Sequence, residues 1–274
     1  MNEYVGADAL HPPAMSRFYR DDVGIVPYKK CTISPINPYL SLISTYTPKK
    51  GCIYMKKSVY SLVLSDGVIE AADRMAYVKG MSRSALIDEL LARALSCMTP
   101  EMRMRDIFLT LEESMRQDTV FRLQNRASDS MLSLLSAIQY KYKPTIRYSV
   151  ELYRGLHGRS FGELKIQSRT QSDSLLAELT AFYRMWIATE RRLSGNRELT
   201  FYAEDGRLTR VLSFPPGKED SSESELGEAI VAYIRTFDRA MKQYFTLLHD
   251  KPAAQEYITR LYTGYMQTQH LVLF

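Results

Sequence analysis

MKKSVYSLVLSDGVIEAADRMAYVKGMSRSALIDELLARALSCM, residues 55–98, holds the clearest pattern in the chain. From Ser58 to Leu64 its residues alternate. Tyr60, Leu62 and Leu64 fall on one face; Val59, Ser61 and Val63, continued back to Lys57, fall on the other. A period of two with β-branched and aromatic types predicts a strand. Ser65-Asp66 then supplies an N-cap, and Val68, Ala72, Met75 and Ala76 form one stripe of a helix. Gly80 ends that helix where a left-handed residue is favoured. Ser82 caps a second helix whose apolar face carries Leu86, Ile87, Leu90, Leu91, Ala94 and Leu95. One short strand and two short helices bury too little surface to fold alone, so the strand must pair with something.

The order strand, helix, Gly80-Met81-Ser82-Arg83-Ser84, helix resembles the ribbon–helix–helix family of small bacterial and phage repressors and antitoxins. Asp73 within the first helix and Leu86-Ile87 opening the second match it as well. The likeness covers residues 56–98 only, and it implies a homodimer or higher homo-oligomer. In the family, strands from two chains pair antiparallel and the ribbon enters the major groove of double-stranded DNA. The resemblance places Tyr60, Leu62 and Leu64 in the shared dimer core and turns Lys57, Val59, Ser61 and Val63 toward base edges. Ser82, Arg83 and Ser84, at a helix N-terminus, would hold a backbone phosphate. Outward strand positions in the family are usually Arg, Lys, Gln, Asn or Thr. The two valines here can touch a thymine methyl but cannot form the bidentate hydrogen bonds worth ~1–3 kcal/mol of base discrimination each. Base reading then falls to Lys56, Lys57 and Ser61, or the ribbon has little sequence preference, or protein covers its outer face.

Upstream, residues 1–55 carry prolines at 12, 13, 27, 35, 38 and 48, which prevent a long helix. Tyr4, Phe18, Tyr19, Tyr28, Tyr39 and Tyr46 make the segment too aromatic for a plain disordered tail. It reads as an irregular, partly docked arm.

Downstream, residues 99–170 read as a helical connector. Thr99-Pro100-Glu101 opens a helix. A second helix is expected over Asp129–Tyr142, from the spacing of Met131, Leu134, Leu135 and Ile138, and a short one over Ile146–Leu156. Tyr140-Lys141-Tyr142-Lys143 interleaves aromatics with cations. The pattern suits nucleic acid, but a helix end whose lysines complement the dipole is the preferred reading. Gly155, Gly158 and Gly162 lack the Lys-Ser/Thr of a phosphate loop.

Residues 171–274 read as a helical domain with one β-hairpin, 198–214, turned at Asp205-Gly206. Its helices are Ser172–Leu193, Glu225–Leu248 and one opened by Pro252. Tyr183, Trp186, Tyr233, Phe237 and Tyr244 line either a pocket or, preferably, a core. A protein or small-molecule partner for this domain is left open. The fold class expected is therefore mainly α with minor β: a ribbon–helix–helix module followed by a helical domain containing one hairpin.

The chain is 274 residues with a formal charge of +5, 45% hydrophobic and 24% charged, enough apolar material for a sizeable core. Residues 1–170 carry a net +7 and residues 171–274 a net −2, a mild bias toward an anionic partner for the front. Cys31, Cys52 and Cys97 form no metal or disulfide spacing. No signal segment or membrane span is evident, so the expected setting is the cytoplasm, without membrane contact. No nucleophile elbow, zinc pair or dinucleotide fingerprint occurs. His11, His157, His249 and His270 are scattered, and Glu112-Glu113 and Glu190 read as solvated helix faces. The expectation is no enzyme, no cofactor and no metal. It is instead a dimeric DNA-binding transcriptional regulator, most simply a repressor. The alternatives are a plasmid or phage DNA-maintenance accessory protein, and an antitoxin-like or structural interaction module that uses the ribbon only to dimerise.

Overall fold

The computed structural model of the protein describes residues 58–124, 128–195, 199–204 and 206–273. The arm 1–55, Lys56, Lys57 and Asp205 lie outside the described residues. Helices α1 (Asp66–Lys79), α2 (Arg83–Ala94) and α3 (Pro100–Arg116) come first. Strands β1 (Arg122–Leu123), β2 (Met131–Ala137), β3 (Thr145–His157) and β4 (Ser160–Ser168) follow. After them come α4 (Asp173–Leu193), β5 (Phe201–Glu204), β6 (Arg207–Ser213), α5 (Glu223–Thr246) and α6 (Lys251–Thr268).

The strands form one antiparallel sheet in the order β1-β2-β3-β4-β6-β5. Alternation along β3 sets its two faces: Ile146, Tyr148, Val150 and Leu152 are buried, whereas Arg147 and Glu151 are half-buried on the other side. The register carries this across the sheet. Leu134, Tyr148, Ile166 and Leu208 are cross-strand partners in one apolar row, all fully buried. On the opposite face Arg122, Leu135, Arg147, Gln167 and Arg207 are partners in a largely polar row.

The apolar face forms one core with helices α3 to α6. Helix α5 is central to it, with 13 of its 24 residues buried. It starts at a capping box between Ser222 and Glu225. Over β3, the Phe237 and Tyr148 rings meet edge-on at 6.2 Å, and Tyr148 Oη donates to Asp238 Oδ1 at 2.9 Å. Burial, with Asp238 beside it, holds the Tyr148 hydroxyl well above its ordinary pKa.

The expected mainly helical fold is not what forms. The protein is an α/β fold with a six-stranded sheet, and the expected hairpin is the β5–β6 edge of that sheet rather than a lone ribbon. The segment expected as a helix over Asp129–Tyr142 contains β2, and Ile146–Leu156 lies inside β3. In Met-Leu-Ser-Leu-Leu-Ser-Ala-Ile, residues 131–138, helical and strand periods coexist. Burial of Leu132, Leu134 and Ile138, with Leu135 on the other face, selects the period of two, because β3 offers a long partner edge. The expected strand Val59–Leu64 enters no sheet among the described residues; β1 and β5 form the sheet's edges. A ribbon–helix–helix module followed by a helical domain is therefore not the architecture of this chain. Glu190, expected to be solvated, is fully buried. It lies four residues beyond Trp186 on the apolar stripe of α4, a spacing that should have placed it inside.

Helix α5 approaches α3 closely at Gly227. A Cβ there would lie 2.8 Å from Thr110 Cβ and 3.0 Å from the Ile107 carbonyl oxygen. Gly227→Val overpacks this contact, and neither a Cβ nor a backbone carbonyl can swing aside. We expect a loss of about 1–3 kcal/mol in chemical denaturation. Unchanged stability would show that the two helices are not held at this distance.

Candidate nucleic-acid interface

The candidate interface is residues 58–98, and its local structure follows from its caps. Gly80 ends α1 at φ 63°, the left-handed position glycine takes without strain. Two residues later the Ser82 hydroxyl accepts a hydrogen bond from the Ala85 N–H at 3.2 Å and starts α2. Ser65 holds the N-cap position of α1, but its side chain makes no capping bond.

Between these caps the two helices pack on each other with little buried. Ala76 is the buried residue of α1; Leu86, Glu89 and Ala92 are those of α2. Val68, Met75, Tyr77, Val78, Leu90, Leu91 and Leu95 are exposed. Segment 58–64 is exposed as well. Val59 and Val63 are 101% and 102% exposed; on the other face Tyr60, Leu62 and Leu64 fall through 84% and 57% to 36% as α1 is approached. Residues 59–63 are thus brought beside one another but make no core in a single copy. Lys57, assigned to the base-facing set, lies outside the described residues.

Arg83 is paired within the unit. Its guanidinium forks onto the Asp73 carboxylate, with Nη2 donating to Oδ2 at 2.6 Å and Nε donating to Oδ1. This pair ties α1 to the start of α2, so Arg83 braces the turn between them. Ser84 is exposed, and the first N–H groups of α2, at Arg83 and Ser84, have no partner within a helix. With Ser82 they keep the geometry of an anion-binding helix end.

Among the described residues, a buried charged group joins this unit to the rest. Glu89 is 4% exposed and receives cations from three helices. Arg105 of α3 donates to both of its oxygens at 3.1 and 3.2 Å, Arg93 of α2 donates at 2.8 Å, and Lys79 of α1 lies at 3.7 Å. The Arg105 hydrogen bonds, outweighing burial, hold the Glu89 carboxyl below its ordinary pKa. No motif marks Glu89; its signal is a carboxylate three residues after Leu86 on the face α2 buries.

A second buried charge cluster lies in the core. Arg210 Nη2 donates to Glu190 Oε1 at 2.6 Å and to the Leu273 carbonyl at 2.9 Å. Tyr233 Oη donates to Glu190 Oε2 at 2.8 Å and accepts from Trp186 Nε1 at 3.0 Å. Burial alone would drain the Arg210 charge, but Glu190 holds it in place and the net shift is upward. This cluster clamps α4, β6, α5 and the C-terminal segment together. Tyr183, Trp186, Tyr233, Phe237 and Tyr244 are all buried and belong to the core. Among the described residues no group of His, Cys, Asp and Glu could hold a metal ion, and no helix is long and apolar enough to cross a membrane.

Because Glu89 has a lowered pKa, it stabilises the fold above the ordinary carboxylate range, and that contribution is lost as pH falls through its folded value. Glu89→Gln should cost roughly 1–3 kcal/mol at neutral pH. The difference from the native chain should shrink steadily as the solution is acidified below about pH 4.5. A pH-independent difference in denaturation midpoint would mean that the carboxylate charge does not bind α3. Comparison with protein-family models, curated proteins and solved structures finds no match for this chain.

Proposed function

We propose that the protein is a dimeric DNA-binding regulator, acting most simply as a repressor, in which segment 58–64 pairs antiparallel with the same segment of a second copy. The paired segments would lie in the major groove, with Val59, Ser61, Val63 and Lys57 toward the bases and the start of α2 near a phosphate. One observation carries this reading: the alternating apolar residues of segment 58–64 and the apolar residues Val68, Met75, Leu90 and Leu91 of α1 and α2 are exposed in a single copy. Leu62, Val68 and Leu64 keep 57%, 52% and 36% exposure, so moving them into a shared core is worth roughly half or less of the ~1.5–3 kcal/mol that complete burial of such a side chain brings. The resemblance of residues 56–98 to the ribbon–helix–helix proteins supports the same pairing, as does the net positive charge of the front of the chain.

The two fully exposed valines favour a second reading. A surface that offers Val59 and Val63 suits protein contact as well as it suits thymine methyls, and a dimer that binds only protein would use the segment for pairing alone.

Mass in solution and duplex binding separate these readings. The native chain should sediment as a dimer and bind duplex DNA with an affinity that falls steeply with salt. Leu62→Lys should yield a folded monomer and weaken duplex binding roughly tenfold or more, since one half of a paired contact is lost. A dimer with no duplex binding at low salt leaves the interaction reading; a strict monomer removes both.

A further inference from the structure

Tyr140-Lys141-Tyr142-Lys143 ends no helix. It forms the loop between β2 and β3, which hydrogen bonds close tightly: Lys143 N–H donates to the Tyr140 carbonyl at 2.9 Å and Ile138 N–H to the Pro144 carbonyl at 3.1 Å. Tyr140 anchors the loop, its ring edge-on to Phe245 at 5.4 Å and its hydroxyl 3.4 Å from Ser174 Oγ on α4. Tyr142 does the reverse. It is 101% exposed and sits at φ 63°, followed by Lys143 at φ 46°. Two consecutive bulky residues in the left-handed region are unfavourable, and such positions collect where a loop serves a ligand.

Beside the loop is an open cleft of about 540 Å³. Lys141, Lys143, Arg147 and Arg169 line it, together with Thr170 and Ser172 at the start of α4, and no acidic side chain does. Asp173, the first residue of α4, is the nearest acid in sequence. Among the described residues none of the four cations is held in an ion pair; by contrast Lys165, two residues from Gln167 on the same sheet face, is shared by Glu151 and Glu163. The basic lining continues onto the sheet, where Arg147 is the cross-strand partner of Gln167, and Gln167 of Arg207.

We propose that this cleft binds a single strand of nucleic acid, its phosphates on Lys141, Lys143, Arg147 and Arg169 and one base stacked on the Tyr142 ring. Cations along a groove with an exposed aromatic beside them are the two elements of sequence-tolerant strand binding. A small anion or an acidic peptide would use the cations but would leave the aromatic ring without a role. Duplex bases are already stacked, so Tyr142 selects an unpaired one. The site shares no residue with segment 58–98, and its occupancy does not depend on pairing there.

The full chain is titrated with fluorescently labelled oligothymidylate over a range of salt concentrations, with polyglutamate as competitor. Tyr142→Asn keeps a residue that tolerates φ 63° and removes the ring from a position that touches no core. It should weaken single-strand binding roughly tenfold and leave affinity for duplex unchanged. Lys141→Ala with Lys143→Ala should reduce the magnitude of the slope of log affinity against log salt by about 1.4, two single-strand phosphate contacts. Leu62→Lys should leave single-strand binding intact. Wild-type binding by Tyr142→Asn, displacement by polyglutamate as readily as by oligothymidylate, or no single-strand binding by the native chain at low salt would each overturn the proposal.

Discussion

The constraint on which the fold rests is the removal of one sheet face from water. Strands β2, β3, β4 and β6 present a largely apolar face, interrupted by the buried Arg210 and Ser136, and an antiparallel sheet of this kind is stable only when that face is covered. Helix α5 satisfies the requirement with apolar residues on most of its circumference, because it packs on the sheet and also meets α3 and α6. Its small residues, Gly227 above all, let α3 approach closely. Two polar devices fix the register of this layer: Tyr148 on Asp238, and Arg210 on Glu190 and Tyr233. Buried charges of this kind add specificity of arrangement more than net stability, since desolvation offsets much of the attraction.

The unit at 58–98 obeys a different balance. Its helices bury four residues between them, whereas α5 alone buries thirteen. Helix α2 is held by the buried Leu86 and Ala92 together with the Glu89 carboxylate, which takes Arg105 of α3 as well as Arg93 and Lys79 of its own unit. Such an arrangement fixes the unit in position while leaving its apolar side outward. Exposed leucines and valines accordingly concentrate in the first forty described residues.

The two surfaces proposed for nucleic acid differ in their physics. The first depends on a second copy to complete it and on groove shape for its fit. The second is complete in one copy, resting on unpaired cations and a ring held outward by its backbone. Their separation in the fold lets charge and stacking act at one place and pairing at another.

The sequence alone determined those features whose cause is local. Gly80, Ser82 and Thr99-Pro100 mark helix ends because each satisfies backbone groups within a few residues of itself. The amphipathic stripes of α4 and α5 were legible for the same reason, as was the β5–β6 hairpin from Asp-Gly between alternating residues. The alternation at 58–64 was legible too, but among the described residues the segment joins no sheet, since alternation alone supplies no partner edge. Ile146, Tyr148, Val150 and Leu152 of β3 alternate in the sequence itself. Only the tertiary structure decided that 131–137 is a strand, because its apolar spacing fits either period until an edge is offered. Only it gathered Arg147, Arg169 and the 140–143 loop into one cleft, and only it buried Glu190 against Arg210, twenty residues away. Those contacts arise from register and layer packing, which depend on every strand at once.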